Sequence, residues 1–191
     1  FRAHAWPPSR EVYDTLAEAG QTPHTLFLAC SDSRADPALI FDAAPGDLFV
    51  VRNVANLVPP YQPDGGLHGV SSALEFGVKA LKVSRIVVMG HALCGGVQAM
   101  RSDSAAGLDF VEAWVDQGRP TVRRALEGCD HDHSVQVSEE AIVKLSLDNL
   151  RTFPWIAERE AAGDLTLTGL HFGIADGVLR VLGDDGQFHP V

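Results

Sequence analysis

Cysteine is scarce in this chain: Cys30, Cys94 and Cys129 are the only three among 191 residues. An odd and sparse set argues against a disulfide framework and for free thiols in a reducing compartment. Basic residues are also in short supply, 15 Lys and Arg against 25 Asp and Glu, for a formal charge of −10. Such a chain repels phosphate backbones and anionic lipid surfaces, so neither nucleic acid nor a membrane is an expected partner. No apolar run approaches the roughly 20 residues that span a bilayer. Residues 86–89 are typical of the longest runs and are strand-sized. A cytoplasmic location is therefore expected; the sequence opens on Phe1 rather than Met, which is compatible with an upstream targeting segment that has been trimmed.

What is present is apolar residue in quantity, 46% of the chain, enough for one substantial core and too little length for two. No internal repeat or linker divides it. We expect a single domain over residues 1–191, with residues 1–20 as an N-terminal helical arm that starts near Pro7 and Pro8 and stops at Gly20. Thr25–Cys30 is a short apolar run ending in polar residues, the pattern of a strand buried on both faces. Asp36 before Pro37 is an N-cap followed by a first-turn proline, so a short helix follows. Residues 48–53 form the next strand, and the Pro- and Gly-rich stretch 58–69 is a loop.

Val70, Leu74, Val78 and Leu81 recur at helical spacing, which predicts a helix over 68–81, and residues 86–90 behind it read as a third strand. Residues 108–132 carry no clear period. Ser138-Glu139-Glu140 reads as the start of a helix reaching about residue 152, followed by another over 154–162. Residues 166–172 and 178–182 read as strands joined in a hairpin around Asp176-Gly177. The expected fold is α/β: a mostly parallel central sheet flanked by helices, with an antiparallel edge strand near the C-terminus and the helical arm at the start. In such sheets ligands bind beyond the carboxyl ends of the strands, where Cys30 and His91 fall.

Cys30-Ser31-Asp32-Ser33-Arg34 leaves the first strand, and Gly90-His91-Ala92-Leu93-Cys94-Gly95-Gly96 leaves the third. If those strands are neighbours, two thiolates and an imidazole converge, a donor set suited to Zn²⁺ and not to oxygen-seeking Mg²⁺ or Ca²⁺. Three ligands leave a fourth position for water, the signature of a catalytic site rather than a structural one. Asp32 and Arg34, two apart, can pair so that the guanidinium keeps the carboxylate ionised. Asp32 would then either orient a zinc-bound hydroxide or ligate the metal itself. Gly95 and Gly96 allow close backbone approach and offer N–H groups to developing negative charge.

These residues resemble the β-class carbonic anhydrases, zinc enzymes that interconvert carbon dioxide and bicarbonate. Cys30-Ser31-Asp32-Ser33-Arg34, Pro45-Gly46-Asp47-Leu48-Phe49-Val50-Val51-Arg52-Asn53-Val54-Ala55-Asn56 and Gly90-His91-Ala92-Leu93-Cys94-Gly95-Gly96 follow the family's order and spacing. The likeness runs from about Gln21 through the closing hairpin and is weakest over 100–138. It implies one Zn²⁺ per subunit on Cys30, His91 and Cys94, with Asp32 and Arg34 as the catalytic dyad that orients zinc-bound hydroxide. It implies substrate contacts from Gln21, Phe49, Val54 and Gly95, with Phe49 and Val54 lining an apolar carbon dioxide pocket. It further implies a homodimer with the pocket at the interface, Gln21 and Phe49 coming from different subunits, or a tetramer of two such dimers.

One subgroup of the family binds bicarbonate at a second site through a tryptophan, an arginine and a tyrosine, driving the aspartate onto the zinc. Phe27 and Phe172 stand at the tryptophan and tyrosine positions and supply no hydrogen bond. Arg52 alone remains, so the plant-like subgroup without that site is favoured. Phe76 departs from the tyrosine that plant-like members often carry at the pocket.

Two other readings stay open: hydrolysis of a related linear substrate such as carbon disulfide or carbonyl sulfide, and a non-enzymatic zinc- or thiol-sensing protein in which Asp32 closes the metal shell. Cys129-Asp130-His131-Asp132-His133 reads as a solvated loop and not as a second metal site. His68 and His171 are candidates for proton relays because imidazole as a class titrates near neutral pH, yet a lone histidine is more often structural.

Overall fold

The chain, seen in a computed structural model that describes residues 1–102, 104–130 and 133–191, builds six strands: β1 (Thr25–Cys30), β2 (Leu48–Asn53), β3 (Arg85–His91), β4 (Thr166–Phe172), β5 (Leu179–Leu182) and β6 (Phe188–Pro190). They form one sheet in the order β2-β1-β3-β4-β5-β6. The first four are parallel, and β5 and β6 run antiparallel at the edge. β1 and β3 are central, and their runs 26–30 and 86–91 are buried throughout. This is why they read as unbroken apolar stretches rather than alternating ones.

The α-helices among the described residues are α1 (Trp6–Ala19), α2 (Pro37–Ile40), α3 (Gly69–Glu75), α4 (Gly95–Arg101), α5 (Val111–Asp116), α6 (Arg119–Ala125), α7 (Ser134–Leu150) and α8 (Pro154–Ala161). α1 begins with prolines in its first turn, ends at Gly20 with φ 78°, and buries none of its own residues. Asp36 caps α2 as expected, its side chain accepting from the Ala38 N–H at 2.9 Å. On one face of the sheet Leu26, Leu28, Ile86 and Val88 pack with Leu74, Val78, Val143, Leu147 and Ile156. Each such fully buried Leu or Ile contributes about 1.5–3 kcal/mol relative to exposure. The other face carries Phe27, Ala29, Val87, Met89 and Leu170, with Phe172 packed against them.

The structure refines three sequence expectations and adds one strand. The helix over 68–81 changes hand-hold midway: α3 continues as a π-helical stretch Phe76–Ala80, one extra residue per turn that apolar spacing does not reveal. α7 starts at Ser134, not at Ser138, whose hydroxyl bonds back to the Ser134 carbonyl at 2.7 Å from inside the helix. Residues 108–132 contain α5 and α6. β6, three residues with no sequence signal of their own, extends the sheet past the hairpin.

The sheet order places the site. From β1 the chain crosses to β2 on one side, and from β2 it crosses back to β3 on the other. The crevice between the carboxyl ends of β1 and β3 is therefore the topological switch point, where a parallel sheet opens a ligand-sized gap. Cys30 ends β1, and His91 ends β3.

Candidate metal centre

Cys30, His91 and Cys94 converge at this crevice, all buried, with their ligand atoms within 4.8 Å of one another. The two sulfurs are 3.8 Å apart. Two thiolates on one tetrahedral zinc, each at about 2.3 Å, would stand about 3.8 Å apart. His91 Nδ1 lies 2.9 Å from the Ala92 carbonyl, which fixes the tautomer with that nitrogen as donor. Its Nε2 is then a bare lone pair, and it is buried with no hydrogen-bond partner. An orphaned acceptor beside two thiols is the mark of a metal ligand, so the residues fit a zinc ion.

The two thiols share one proton. The hydrogen bond between the sulfurs draws Cys30 down to about 4 despite its burial, with His91 assisting. The same contact, together with burial, pushes Cys94 above the ordinary thiol range. The first proton leaves easily and the second with difficulty, and these are properties of the pair rather than of either residue. For His91, burial opposes the charged ring while Cys30 and the Ala92 carbonyl favour it, and the balance lies above the ordinary histidine value.

Asp32 and Arg34 form a two-pronged pair, Arg34 Nε to Asp32 Oδ1 at 2.9 Å and Nη2 to Oδ2 at 2.7 Å. The Arg34 backbone N–H adds a third bond to Oδ1 at 2.9 Å. Hydrogen bonds from Arg34 hold the Asp32 carboxyl well below the usual carboxylate range, against a small burial effect. Asp32 Oδ2 stands 3.9 Å from His91 Nε2, so the carboxylate borders the ligand cluster.

The surrounding backbone is strained and tied down. Ala55, Asn56 and Leu93 take left-handed φ values of 65°, 46° and 59° without being glycine, conformations that cost of order 1–3 kcal/mol each and persist only when neighbours enforce them. Arg52 supplies one such tether, donating from Nε to the Cys30 carbonyl at 2.9 Å, from Nη2 to the Asp32 carbonyl at 2.6 Å and from Nη1 to Asp36 at 2.6 Å. Gly96 supplies another: a Cβ there would lie 2.7 Å from Val54 Cγ1 and 2.9 Å from Ala55 Cβ, so only glycine lets α4 approach the 54–56 turn. Gly95 faces open space, with nothing within 4 Å of where its Cβ would stand.

The remaining sequence candidates are dispersed. Val54 lies at the 54–56 turn beside the cluster, its carbonyl accepting from Trp114 Nε1 at 2.8 Å. Phe49 pairs in register with Leu26, four residues along β1 from Cys30, or roughly 13 Å at strand rise. It packs against Phe76 at 5.9 Å between ring centroids. Gln21 is exposed and precedes the amino end of β1, the opposite end of the strand from Cys30. Neither Gln21 nor Phe49 joins the metal cluster within one chain. Phe27 and Phe172 both belong to the apolar second face of the sheet. His68 pairs with Asp64 at 2.6 Å. His131 and Asp132 lie outside the described residues.

Sequence reasoning missed two contributors. Arg52 lay inside the recognised motif but was weighed only as a remnant of an anion site. Glu139 was taken for a helix-start residue, whereas it is buried within α7, accepts from the Cys94 N–H at 3.2 Å and pairs with His171 at 3.0 Å.

Comparison with known proteins identifies the family. The family model described as carbonic anhydrase matches residues 25–179. Beta carbonic anhydrase 5, chloroplastic, of Arabidopsis thaliana is 39% identical over 171 residues, which is 87% of this chain and 56% of the Arabidopsis protein. This chain thus spans little more than half of that relative's length. The solved β-carbonic anhydrase CcaA superposes with a TM-score of 0.91 at 32% identity, over 100% of this chain and 87% of that one. A tetrameric β-carbonic anhydrase from the filamentous ascomycete Sordaria macrospora gives 0.83 at 30% identity, over 95% of this chain and 91% of that one.

Proposed function

The chain belongs to the β-class carbonic anhydrase family, and from that membership we propose that it holds one Zn²⁺ through Cys30, His91 and Cys94 and interconverts carbon dioxide and bicarbonate. The observation that carries the proposal is the buried, partnerless His91 Nε2 beside two thiols, with the Asp32 carboxylate at its edge already committed to Arg34. Bound zinc supplies a water acidified to about pKa 7, a figure that belongs to a carbonic anhydrase with three histidine ligands.

With zinc bound, Asp32 would accept a hydrogen bond from the nucleophile that the metal supplies and so orient it toward carbon dioxide. Arg34 holds Asp32 ionised and fixes its plane. Val54, Phe49 and Gly95 form the apolar and backbone walls of the substrate site, and Gln21 hydrogen-bonds the substrate. Gln21 and Phe49 reach each pocket from different subunits, which makes a homodimer the smallest complete unit and a tetramer a pair of such units. Phe27 and Phe172 offer no hydrogen bond to an anion, in keeping with the plant-like subgroup and a resting state in which Asp32 stays on Arg34. The same pairing argues against a non-enzymatic zinc holder, which would need Asp32 to close the shell.

Stopped-flow carbon dioxide hydration with the zinc-loaded protein tests the reading. The expected result is a zinc-dependent rate from about pH 6.5 to about pH 9, lost on chelation. A zinc-loaded protein with no rate above buffer would overturn it. Turnover of carbonyl sulfide or carbon disulfide without carbon dioxide hydration would reassign the substrate.

A further inference from the structure

Glu139 and His171 are ionisable side chains buried to 2% exposure, and the reaction uses neither. Their position follows from close helix–sheet packing. β4 sets His171 in register with Gly90 of β3, the residue before His91. A Cβ at Gly90 would stand 2.7 Å from Val143 Cγ2, so glycine there lets α7 settle onto β3. One turn before Val143, α7 directs Glu139 at the metal loop.

Both Glu139 oxygens are occupied. Oε1 accepts from the Cys94 backbone N–H at 3.2 Å, and Oε2 meets His171 Nε2 at 3.0 Å. His171 Nδ1 is buried without a partner, which suits a neutral ring donating from Nε2, since a charged ring would leave a buried N–H unpaired. The peptide between Leu93 and Cys94 is thereby held at both polar groups. Its carbonyl accepts from Arg34 Nη2 at 3.1 Å, and its N–H donates to Glu139. Leu93 at φ 59° sits in a conformation that would relax if either tether were cut.

We propose that Glu139, held by His171, is a positioning residue that fixes the Leu93–Cys94 peptide and so presents the Cys94 sulfur to the metal. The buried pair and the Asp32–Arg34 pair grip opposite ends of one peptide plane. A shift of that plane moves a zinc ligand and the oriented carboxylate together. The proposal rests on the zinc reading.

The test compares wild type, Glu139→Ala, Glu139→Gln and His171→Ala. Zinc affinity is measured by chelator competition, the visible spectrum after Co²⁺ substitution reports ligand geometry, and circular dichroism reports the fold. Glu139→Ala should weaken zinc binding about 10- to 100-fold and alter the Co²⁺ ligand-field bands. Glu139→Gln keeps an acceptor for the Cys94 N–H and should stay within about threefold of wild type with its spectrum preserved. His171→Ala, which frees the carboxylate to swing, should fall between them. A folded Glu139→Ala protein with wild-type affinity and spectrum overturns the proposal, as does Glu139→Gln failing as badly as Glu139→Ala. If Glu139→Ala does not fold, undiminished zinc affinity in His171→Ala overturns it and a loss there, with Glu139→Gln intact, supports it. Wild-type protein that takes up neither Zn²⁺ nor Co²⁺ would instead refute the metal site itself, and the proposal with it.

Discussion

The Arg34 guanidinium donates to the carbonyl of Leu93 at 3.1 Å while gripping both oxygens of Asp32. One side chain therefore ties the loop after β1 to the loop after β3, and the charge pair to the segment that carries Cys94. Lysine has the charge but not the planar fork, so it serves one of these partners at a time. Arg34→Lys should keep one zinc per chain, by metal analysis, and lower kcat/KM for carbon dioxide hydration about 10²- to 10³-fold, the range for losing a preorganised donor. Near wild-type kcat/KM would show that the fork is dispensable.

Asp32 is expected to contribute no pH dependence near neutrality. Its carboxyl is held well below the usual carboxylate range by Arg34. A depressed folded-state pKa gives stabilisation that is present above the unfolded value, about 3.9, and lost as pH falls through the lower folded value. Above about pH 5 the dyad is therefore constant. In Asp32→Asn the kcat/KM plateau should drop while the inflection near neutral pH persists. An inflection that vanishes with the carboxylate would assign it to Asp32.

Zinc uptake should release protons, because the metal replaces the one shared by Cys30 and Cys94. Titration calorimetry in buffers of different ionisation enthalpy should give about two protons per zinc near pH 8, one from the thiol pair and nearly one from the water that zinc acidifies to about pKa 7. The affinity should fall as pH descends through the raised range of His91, whose charged form must lose its proton to bind. Proton-free uptake would mean that the thiols are not the ligands.

The adjacent glycines should behave differently. Gly96→Ala drives a methyl into Val54 and Ala55, whose backbone N is 3.2 Å from the added atom, and should destabilise by about 1–3 kcal/mol. Gly95→Ala meets open space and should range from neutral to about 1 kcal/mol stabilising. Urea unfolding of the two variants checks the contrast, and equal losses would contradict the packing.

The central strands were legible because burial on both faces leaves continuous apolar runs with polar ends, as in Thr25–Cys30 and Arg85–His91. The start of α7 was misread because Ser138-Glu139-Glu140 imitates a capping sequence, while the helix itself begins at Ser134. α5 and α6 are six and seven residues long, too short for a helical period to stand out. β6 has three residues, the last a proline. At the site, Cys30, His91, Cys94, Asp32 and Arg34 declare themselves through residue type and short spacing. Glu139 and His171 are 32 residues apart and meet only because α7 packs on β3 and β4, so no local pattern announces them.

The most direct test of the metal centre is a crystal structure of the zinc-loaded protein near pH 8, read for the fourth ligand. The expected result is zinc on Cys30 Sγ, His91 Nε2 and Cys94 Sγ, a non-protein oxygen in the fourth position, and Asp32 still forked to Arg34. Zinc bound elsewhere, or the Asp32 carboxylate on the metal with Arg34 released, would contradict it.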